Sequence, residues 1–230
     1  MKNKLFGILI LLFVVVISFS QEEGKDYRRY FSKDQFSFTF TATHWLQKEK
    51  VANPSVFSRG IDLQMMYPII GNNSNVAFAV GFGFSSQNYY LKEYISFNND
   101  SIWFTPIPDS INYKKYKLST NYITIPVELR FRTNPRGLSR RSFKIYPGFR
   151  AGMLVNVHTK YLGKDFETDE KIKEKEYNLK HINRIDYGPT LRIGYGKFMV
   201  HGYYSLVNLF EENKGPELTP IEVGVNIILF

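Results

Sequence analysis

Cysteine is absent from the 230 residues, and this absence excludes two classes of exported protein. A bacterial lipoprotein carries its lipid on a cysteine at the cleavage point of its leader, so this chain cannot be attached to a membrane in that way. A small secreted scaffold held together by disulfides is excluded as well. Stability must therefore come from burial and from a closed hydrogen-bond ladder, and any membrane attachment must come from the fold itself.

The sequence also lacks an apolar run long enough to cross a membrane as a helix. The longest run covers residues 5–19, about 15 residues against the roughly 20 that a spanning helix needs. Two lysines precede it and small serines end it, which is the pattern of a secretory signal peptide. We predict a signal peptide at residues 1–20, with an uncleaved N-terminal anchor as the alternative. A charged periplasmic lead-in at residues 21–35 follows.

The composition is basic and rich in aromatic residues. The net charge is +9, and it falls to +7 without Lys2 and Lys4, because 28 basic and 21 acidic residues then remain. Phe, Tyr and Trp make up 17% of the chain, and tyrosine is enriched at membrane interfaces. The charge alone would suit a nucleic-acid binder, but the export signal does not. We therefore expect anionic lipid or lipopolysaccharide as the partner of the positive charge, with surface solvation alone as the alternative, and no nucleic acid.

Strict alternation of apolar and small or polar residues dominates the remainder of the sequence. It is clearest from Val76 to Ser85, where large apolar residues alternate with Ala, Gly and Ser. A period of two is typical of a β-strand. Eight such segments are predicted, at residues 36–43, 60–69, 76–85, 118–132, 143–162, 181–195, 198–208 and 220–230.

The connections between these segments alternate in length. Short links are predicted at 71–75, 133–141 and 195–197, and long ones at 47–57, 91–116, 163–177 and 209–219. Bacterial membrane barrels join their strands by short periplasmic turns and longer external loops. We therefore predict an all-β fold, an eight-stranded antiparallel up-and-down transmembrane β-barrel over residues 36–230, in the outer membrane with its long loops outside. A soluble lipocalin-like barrel, with the apolar face turned inward, is the alternative.

One face of the predicted strands is charged, and in a membrane barrel that face lines the interior. An eight-stranded barrel has an interior just wide enough for side chains to fill, so we expect a salt-bridged plug in preference to an ion path. The predicted luminal network consists of Asp62, Glu128, Arg130, Arg132, Arg150, Arg184, Asp186, Arg192 and Glu222.

No catalytic, metal or cofactor site is predicted. Of the four histidines, His44, His158 and His181 fall near strand ends on the expected outer side, and His201 lies within a strand. Neither a nucleophile motif nor a His-x-x-x-His pair accompanies them. A metal site or a lipid-modifying hydrolase that uses these histidines therefore remains only an alternative.

Two further segments could suggest a nucleotide-binding loop and a calcium site, but the surrounding sequence argues against both. The stretch from Gly81 to Gly83 lies inside alternating strand sequence, which does not suit a nucleotide-binding loop. The mixed charges of residues 163–180 lack the ligand order of an EF-hand, which favours a solvated loop.

Aromatic residues cluster around the longest predicted loop. They are either an interfacial girdle with loop packing or an outer surface that recognises a glycan or a protein. The cluster consists of Tyr89, Tyr90, Tyr94, Trp103, Tyr113, Tyr116 and Tyr122.

Several segments resemble the PorT-like family of Bacteroidetes-type outer-membrane barrels, which are similar in size to OmpX-like barrels. The resemblance rests on SFSQ at the end of the leader, YITIPVELRFR, FKIYPGFRAGMLVN, DYGPTLRIGYG and HGYYSLVNLFEENKGPELTPIEVGVN. It covers most of the chain after the leader. It implies the small-barrel fold, and for the named member of the family a part in type IX secretion and gliding.

The sequence thus predicts a non-enzymatic outer-membrane barrel with a filled lumen, which acts through its extracellular loops or within an envelope assembly. The narrower alternative is an accessory component of the type IX secretion and gliding machinery. Expected partners are outer-membrane lipids and lipopolysaccharide, the barrel-assembly machinery during insertion, and an envelope protein.

Overall fold

The computed structural model describes residues 35–47, 54–55, 58–70, 74–108, 113–134, 142–164, 170–177 and 179–229. The predicted signal peptide, the lead-in up to residue 34 and Phe230 lie outside these ranges. No helix within them is long and apolar enough to cross a membrane.

Eleven β-strands make up the described structure. They are β1 Phe36–Gln47, β2 Arg59–Ile70, β3 Val76–Leu91, β4 Glu93–Phe97, β5 Ile102–Pro106, β6 Tyr113–Arg132, β7 Phe143–Lys164, β8 Lys171–Glu176, β9 Ile185–Tyr195, β10 Phe198–Tyr204 and β11 Leu218–Ile228.

Eight of the strands form a closed antiparallel barrel. Each pairs with the next in the order β1, β2, β3, β6, β7, β9, β10 and β11, and β11 pairs back onto β1 from Ser37↔Ile228 to Gln47↔Leu218. The predicted eight-stranded up-and-down barrel is therefore confirmed. Every barrel strand has two partners, so the barrel leaves no unpaired edge in the lipid region.

The barrel has two unlike ends. At one, β9 and β10 are joined by the two residues between Tyr195 and Phe198, and Gly196 takes a φ of 65°, which glycine adopts without strain. At the other, which we call the long-loop end, the connections are long. Two of the predicted long loops contain strands: β4 and β5 form a hairpin of their own, and β8 pairs with β7.

The side chains of the barrel follow the predicted alternation with the apolar set outward. Phe82 and Val200 are 60% and 61% exposed, while Thr39 and Arg130 are fully buried. This orientation opposes the lipocalin-like alternative, which needs an apolar interior. In β11 the odd-numbered residues up to Leu229 face outward.

The exposed apolar side chains of the barrel strands form a band around the outside, which we call the apolar belt. Toward the long-loop end, this belt ends at a polar pair. Asn121 of β6 donates to Asn156 of β7 at 3.3 Å. Beyond this pair, β6 and β7 continue together to the long-loop end, where β8 replaces β9 as the neighbour of β7. A register shift at Asn121/Tyr122 marks the same level.

Candidate functional site

The interior of the barrel holds eight of the nine residues of the predicted luminal network. Arg184 is the exception, because it precedes β9 and is exposed. The prediction was wrong for Arg184 because the predicted strand began at residue 181, whereas β9 begins at Ile185. Each of the other eight has an exposed fraction of 8% or less: Asp62, Glu128, Arg130, Arg132, Arg150, Asp186, Arg192 and Glu222.

Arg150 is the centre of a group that we call the upper network, which lies nearer the long-loop end. Its Nη2 is 2.6 Å from Oε1 of Glu222, while the nearest ion-pair distances to Asp62 and Asp186 are 3.6 and 3.7 Å. The guanidinium also lies 3.6 Å above the ring of Tyr203. One cation therefore faces three buried carboxyl groups.

Neutral side chains complete the upper network. Gln87 donates to Oε1 of Glu222 at 2.5 Å, and Tyr89 donates to Gln87 at 2.7 Å. Ser205 donates to Asp186 at 2.6 Å. These bonds connect β3, β9, β11 and the residue after β10 across the lumen.

A lower network surrounds Glu128. This carboxylate accepts from Arg192 at 2.6 Å and from Arg130 Nε at 3.1 Å. Arg192 also donates to Ser37 and Asn226 at 3.0 and 3.1 Å, and its guanidinium lies 5.5 Å from the centre of the Tyr146 ring. Lys144 is buried at this end as well. Cations thus outnumber the acid here, in contrast to the upper network.

Polar groups without formal charge were missed by the predicted network, as was Lys144. Asn226, Gln87 and His201 are each 1% exposed or less. Their inward parity was the available signal: Met199, His201 and Tyr203 alternate with the exposed Phe198, Val200 and Tyr204. Selecting charged residues alone therefore understated how polar the interior is.

A second core closes the long-loop end. We call this region the cap: β4, β5, β8, the connecting residues 179–184 and 205–217, and the side chains of one buried apolar cluster. The cluster consists of Trp45, Tyr89, Leu91, Ile95, Ile102, Ile107, Tyr116, Leu118, Tyr161, Ile182, Leu209, Phe210 and Leu218. Of the predicted aromatic cluster, Tyr89, Tyr116 and Tyr122 are buried and Trp103 is 44% exposed.

Aromatic contacts join the cap to the barrel wall. The ring of Trp45, at the end of β1, lies 4.5 Å from Tyr89 and 6.3 Å from Phe104 of β5. Phe104 in turn lies 6.0 Å from Phe210. Rings on β1, β3 and β5 thus form one packed layer over the lumen.

The tip of the β4–β5 hairpin is fixed to two other connections. Asn98 accepts from the backbone of Asp100 and Ser101 at 2.8 and 2.7 Å. Lys180 donates to Asn99 at 2.9 Å, and the backbone N–H of Ile102 donates to the carbonyl of Lys214 at 2.6 Å. Three long connections therefore pack as a single unit.

A pocket of about 230 Å³ opens between the hairpin and β8. Tyrosine rings and two carboxylates line it, and Ile95 donates its backbone N–H to the Tyr116 hydroxyl at 3.1 Å. Burial raises the pKa of Tyr94 and of Tyr116, so both hydroxyls stay protonated. The pocket is lined by Tyr94, Ile95, Ser96, Tyr116, Thr159, Tyr161, Glu174 and Glu176.

Three lysines lie side by side on the outer wall above the apolar belt, and we call them the lysine row. Lys117 of β6 is paired with Lys160 of β7, and Lys160 with Lys175 of β8. Like charges directly opposite one another on a sheet are destabilising. Partial burial, followed by the charges of Lys160, Lys115 and Lys175, lowers the pKa of Lys117.

The histidines do not assemble into a catalytic group. His44 is exposed on β1, and His158 lies on β7, four strands away around the barrel. His181 is in the cap, 3.5 Å from Glu211. Only His201 lies near other titratable groups in the lumen, Asp62 and Glu222, among the part of the chain that the structure describes.

A family model of outer-membrane barrels matches most of this chain. Residues 19–211 match the family model described as outer membrane protein beta-barrel domain. Two crystal structures of Ail, the attachment invasion locus protein of Yersinia pestis, are similar to this chain, one of them in complex with the heparin analogue sucrose octasulfate. Each is 13% identical and covers 84% of this chain and 97% of its own, with TM-scores of 0.38 and 0.33. A comparison with curated proteins gives no match.

The family match carries the assignment, because it covers most of the sequence and agrees with the ring of strands and their outward apolar face. This chain belongs to the family of outer-membrane proteins built on the β-barrel domain.

Proposed function

We propose that this protein is a non-enzymatic, non-conducting surface protein of the outer membrane that holds lipopolysaccharide at its lysine row and presents its cap to the exterior. The lysine row carries this proposal. Three like charges in direct register are unfavourable on their own, and an anionic partner would remove the repulsion.

The position of the lysine row suits the phosphate groups of lipopolysaccharide. The row lies on the outward face of β6, β7 and β8, on the long-loop side of the Asn121–Asn156 pair that ends the apolar belt. Arg59 and Lys117 also flank the Tyr90 ring, at 5.6 and 5.9 Å. Long connections of bacterial barrels face outward, which would place the row at the headgroup level of the outer leaflet.

Two features support a closed lumen. The upper and lower networks fill the interior, and the cap covers it with an apolar core at the long-loop end. A water path would have to disrupt both. In planar bilayers we expect the refolded protein to produce no discrete conductance steps, and regular channel openings would contradict the proposal.

Lipopolysaccharide binding is tested by removing the row while matching the change in charge. The variant carries Lys117→Gln, Lys160→Gln and Lys175→Gln; the control carries Lys92→Gln, Lys180→Gln and Lys214→Gln. At about 1 kcal/mol per lysine near an anionic surface, the row variant should bind purified lipopolysaccharide about 100-fold more weakly. The control should change little.

The same measurement is repeated with lipid A that lacks its phosphates. Wild-type protein should then bind as weakly as the row variant. Equal losses in the row variant and the control, or wild-type binding that does not depend on phosphate, would contradict the assignment of the site.

Export and insertion complete the proposal. Residues 1–20 would direct secretion as a signal peptide, and the barrel-assembly machinery would insert the mature chain. The resemblance to PorT-like, Bacteroidetes-type barrels supports a narrower role, as an accessory component of the type IX secretion and gliding machinery acting with an envelope protein. Co-purification of the native protein with secretion components tests that role, and a barrel recovered alone would count against it.

A further inference from the structure

We propose that Asp62, His201 and Glu222 form a metal site for a divalent first-row transition ion, best suited to Zn²⁺, inside the barrel. The three side chains come from β2, β10 and β11, and each offers one ligand atom within 4.8 Å of the others. No metal site is expected from the sequence alone, since the spacing of these residues along the chain gives no motif. The barrel closure is what brings them together.

His201 is the observation that distinguishes this group from an ordinary acidic cluster. Its side chain is 1% exposed, yet neither ring nitrogen has a hydrogen-bond partner among the described residues. A buried polar group without a partner is costly, and native structures rarely leave one in this condition. A metal ion would satisfy one nitrogen directly.

The two carboxyl groups beside it are also incompletely used. Both oxygens of Asp62 lack a hydrogen-bond partner within the described residues, because its contact with Arg150 is 3.6 Å long. Oε1 of Glu222 accepts hydrogen bonds from Arg150 and Gln87, while Oε2 has no hydrogen-bond partner among the described residues. One free oxygen on each carboxyl group therefore remains for a cation.

The charge of the upper network also favours a divalent ion. Three carboxyl groups, those of Asp62, Asp186 and Glu222, surround the single guanidinium of Arg150. When all are ionised they leave an excess of two negative charges, and burying such an excess is costly. The surplus cations of the lower network lie around Glu128, and Arg150 is the one guanidinium paired with these three carboxyl groups among the described residues. An ion of charge +2 would balance the group.

The strand register brings β10 and β2 within reach of each other across the lumen. His201 is paired with Gly224, and a Cβ at Gly224 would lie 2.1 Å from the carbonyl oxygen of Phe40. Only glycine allows this close approach of β11 to β1, the two strands that lie between His201 and Asp62. Tetrahedral zinc ligands lie roughly 3.4 Å apart, so ligand atoms that are up to 4.8 Å apart need to close by about 1.4 Å.

A mixed nitrogen and carboxylate donor set selects the class of metal. Imidazole suits zinc and its neighbours in the first transition row, whereas calcium and magnesium prefer oxygen ligands alone. Bound at this site, the ion would link three barrel strands from inside and add to the stability of the closed barrel. The site lies in the lumen and not on the outer wall, so the proposal does not depend on lipopolysaccharide binding.

The test uses the full chain without a histidine tag, refolded in detergent with and without zinc, and freed of loose metal by dialysis. We expect about one zinc per folded chain by mass spectrometry of the metal. Loss of a supporting partner alone costs 10- to 100-fold in affinity, so His201→Gln, which loses a ligand, should bind at least about 100-fold more weakly. The matched control, His44→Gln on the outer face of β1, should bind as wild type does.

A spectroscopic measurement on the wild-type protein keeps the test decisive if His201→Gln fails to fold. X-ray absorption of the zinc-loaded chain should show a single imidazole ligand with oxygen donors, and the temperature at which the folded gel band is lost should rise with zinc. A folded wild type without bound zinc, equal binding by both histidine variants, or a spectrum without imidazole would each overturn the proposal.

Discussion

The barrel and the cap of this chain are stabilised by opposite arrangements of side chains. In the barrel, polar and charged groups are buried and apolar groups face outward; in the cap, aromatic and aliphatic side chains form the core. The difference follows from the surroundings. Lipid removes the advantage of an apolar interior, and the barrel interior must then satisfy its polar groups internally. The cap lies beyond the apolar belt and packs as a soluble domain does.

The two regions can be followed separately in one sample. Both tryptophans of the sequence, Trp45 and Trp103, lie in the cap. Their fluorescence therefore reports the cap, whereas the altered gel migration of unboiled protein reports the closed barrel.

The largest effect is expected from Glu128→Ala in the lower network. Arg192 and Arg130 would lose their shared carboxylate while remaining buried, and breaking a buried pair on one side costs about 3–5 kcal/mol. The folded gel band should therefore be lost at a much lower temperature. The control is Glu212→Ala, which is exposed in the cap. Similar behaviour of the two variants would show that the network contributes little to stability.

A smaller and more local effect is expected from Phe210→Ala. Removing a buried aromatic ring costs about 3 kcal/mol, and here the loss falls on the cap. The tryptophan signal should change at a lower temperature while the gel shift of the barrel persists. Leu206→Ala, at a side chain that is 54% exposed, is the control. Simultaneous loss of both signals would mean that cap and barrel are one cooperative unit.

Placing a charge on the outer face of the barrel should lower the stability of the inserted protein by about 2 kcal/mol. Ile125 faces outward in the apolar belt at 56% exposure, and lysine near the middle of a bilayer costs about 2–4 kcal/mol. Ile125→Lys should therefore reduce refolding into lipid vesicles, with little change in the tryptophan signal. Asn121→Lys, on the same face above the belt, should refold as wild type does. Equal refolding of both variants would contradict the predicted lipid contact.

The smallest effect concerns pH and His158, which lies on the part of β7 beyond the apolar belt. Partial burial, followed by the charges of Lys175, Lys117 and Lys160, lowers the pKa of His158 below its ordinary 6.5. The unfolded chain then binds the proton more readily, so acidification below about pH 6.5 should destabilise the folded chain. The temperature at which the folded gel band is lost should therefore be lower at pH 5.5 than at pH 7.5, and His158→Gln should reduce that difference. An unchanged pH dependence in the variant would exclude His158 as its source.

The alternation of residues was sufficient to predict the barrel, because a period of two fixes which side chains share a face. From Val76 to Ser85 the face of every residue was predicted correctly. Strand ends were less predictable: β6 begins at Tyr113 and β9 at Ile185, where the predictions began at residues 118 and 181. Arg184 was misplaced for this reason.

The cap and the luminal histidine could not be read from the sequence, since both depend on distant segments. Trp45 lies in β1, Phe104 in β5 and Phe210 between β10 and β11. No pattern in the sequence around any of them indicates that the three rings pack together. His201 approaches Asp62 only because β11 closes onto β1. Local patterns identify strands, while contacts across the ring require the topology.

The pairing of β1 with β11 also determines the order in which the protein can form. Neighbouring hairpins join residues that are close in the chain, whereas the pairing of Ser37 with Ile228 joins the two ends of the barrel sequence. Until that pairing forms, β1 and β11 both present unpaired backbone groups, which are the sites at which unfinished sheets aggregate. Because contacts between distant residues form slowly, we expect closure to be the slowest step of folding and the one most exposed to aggregation.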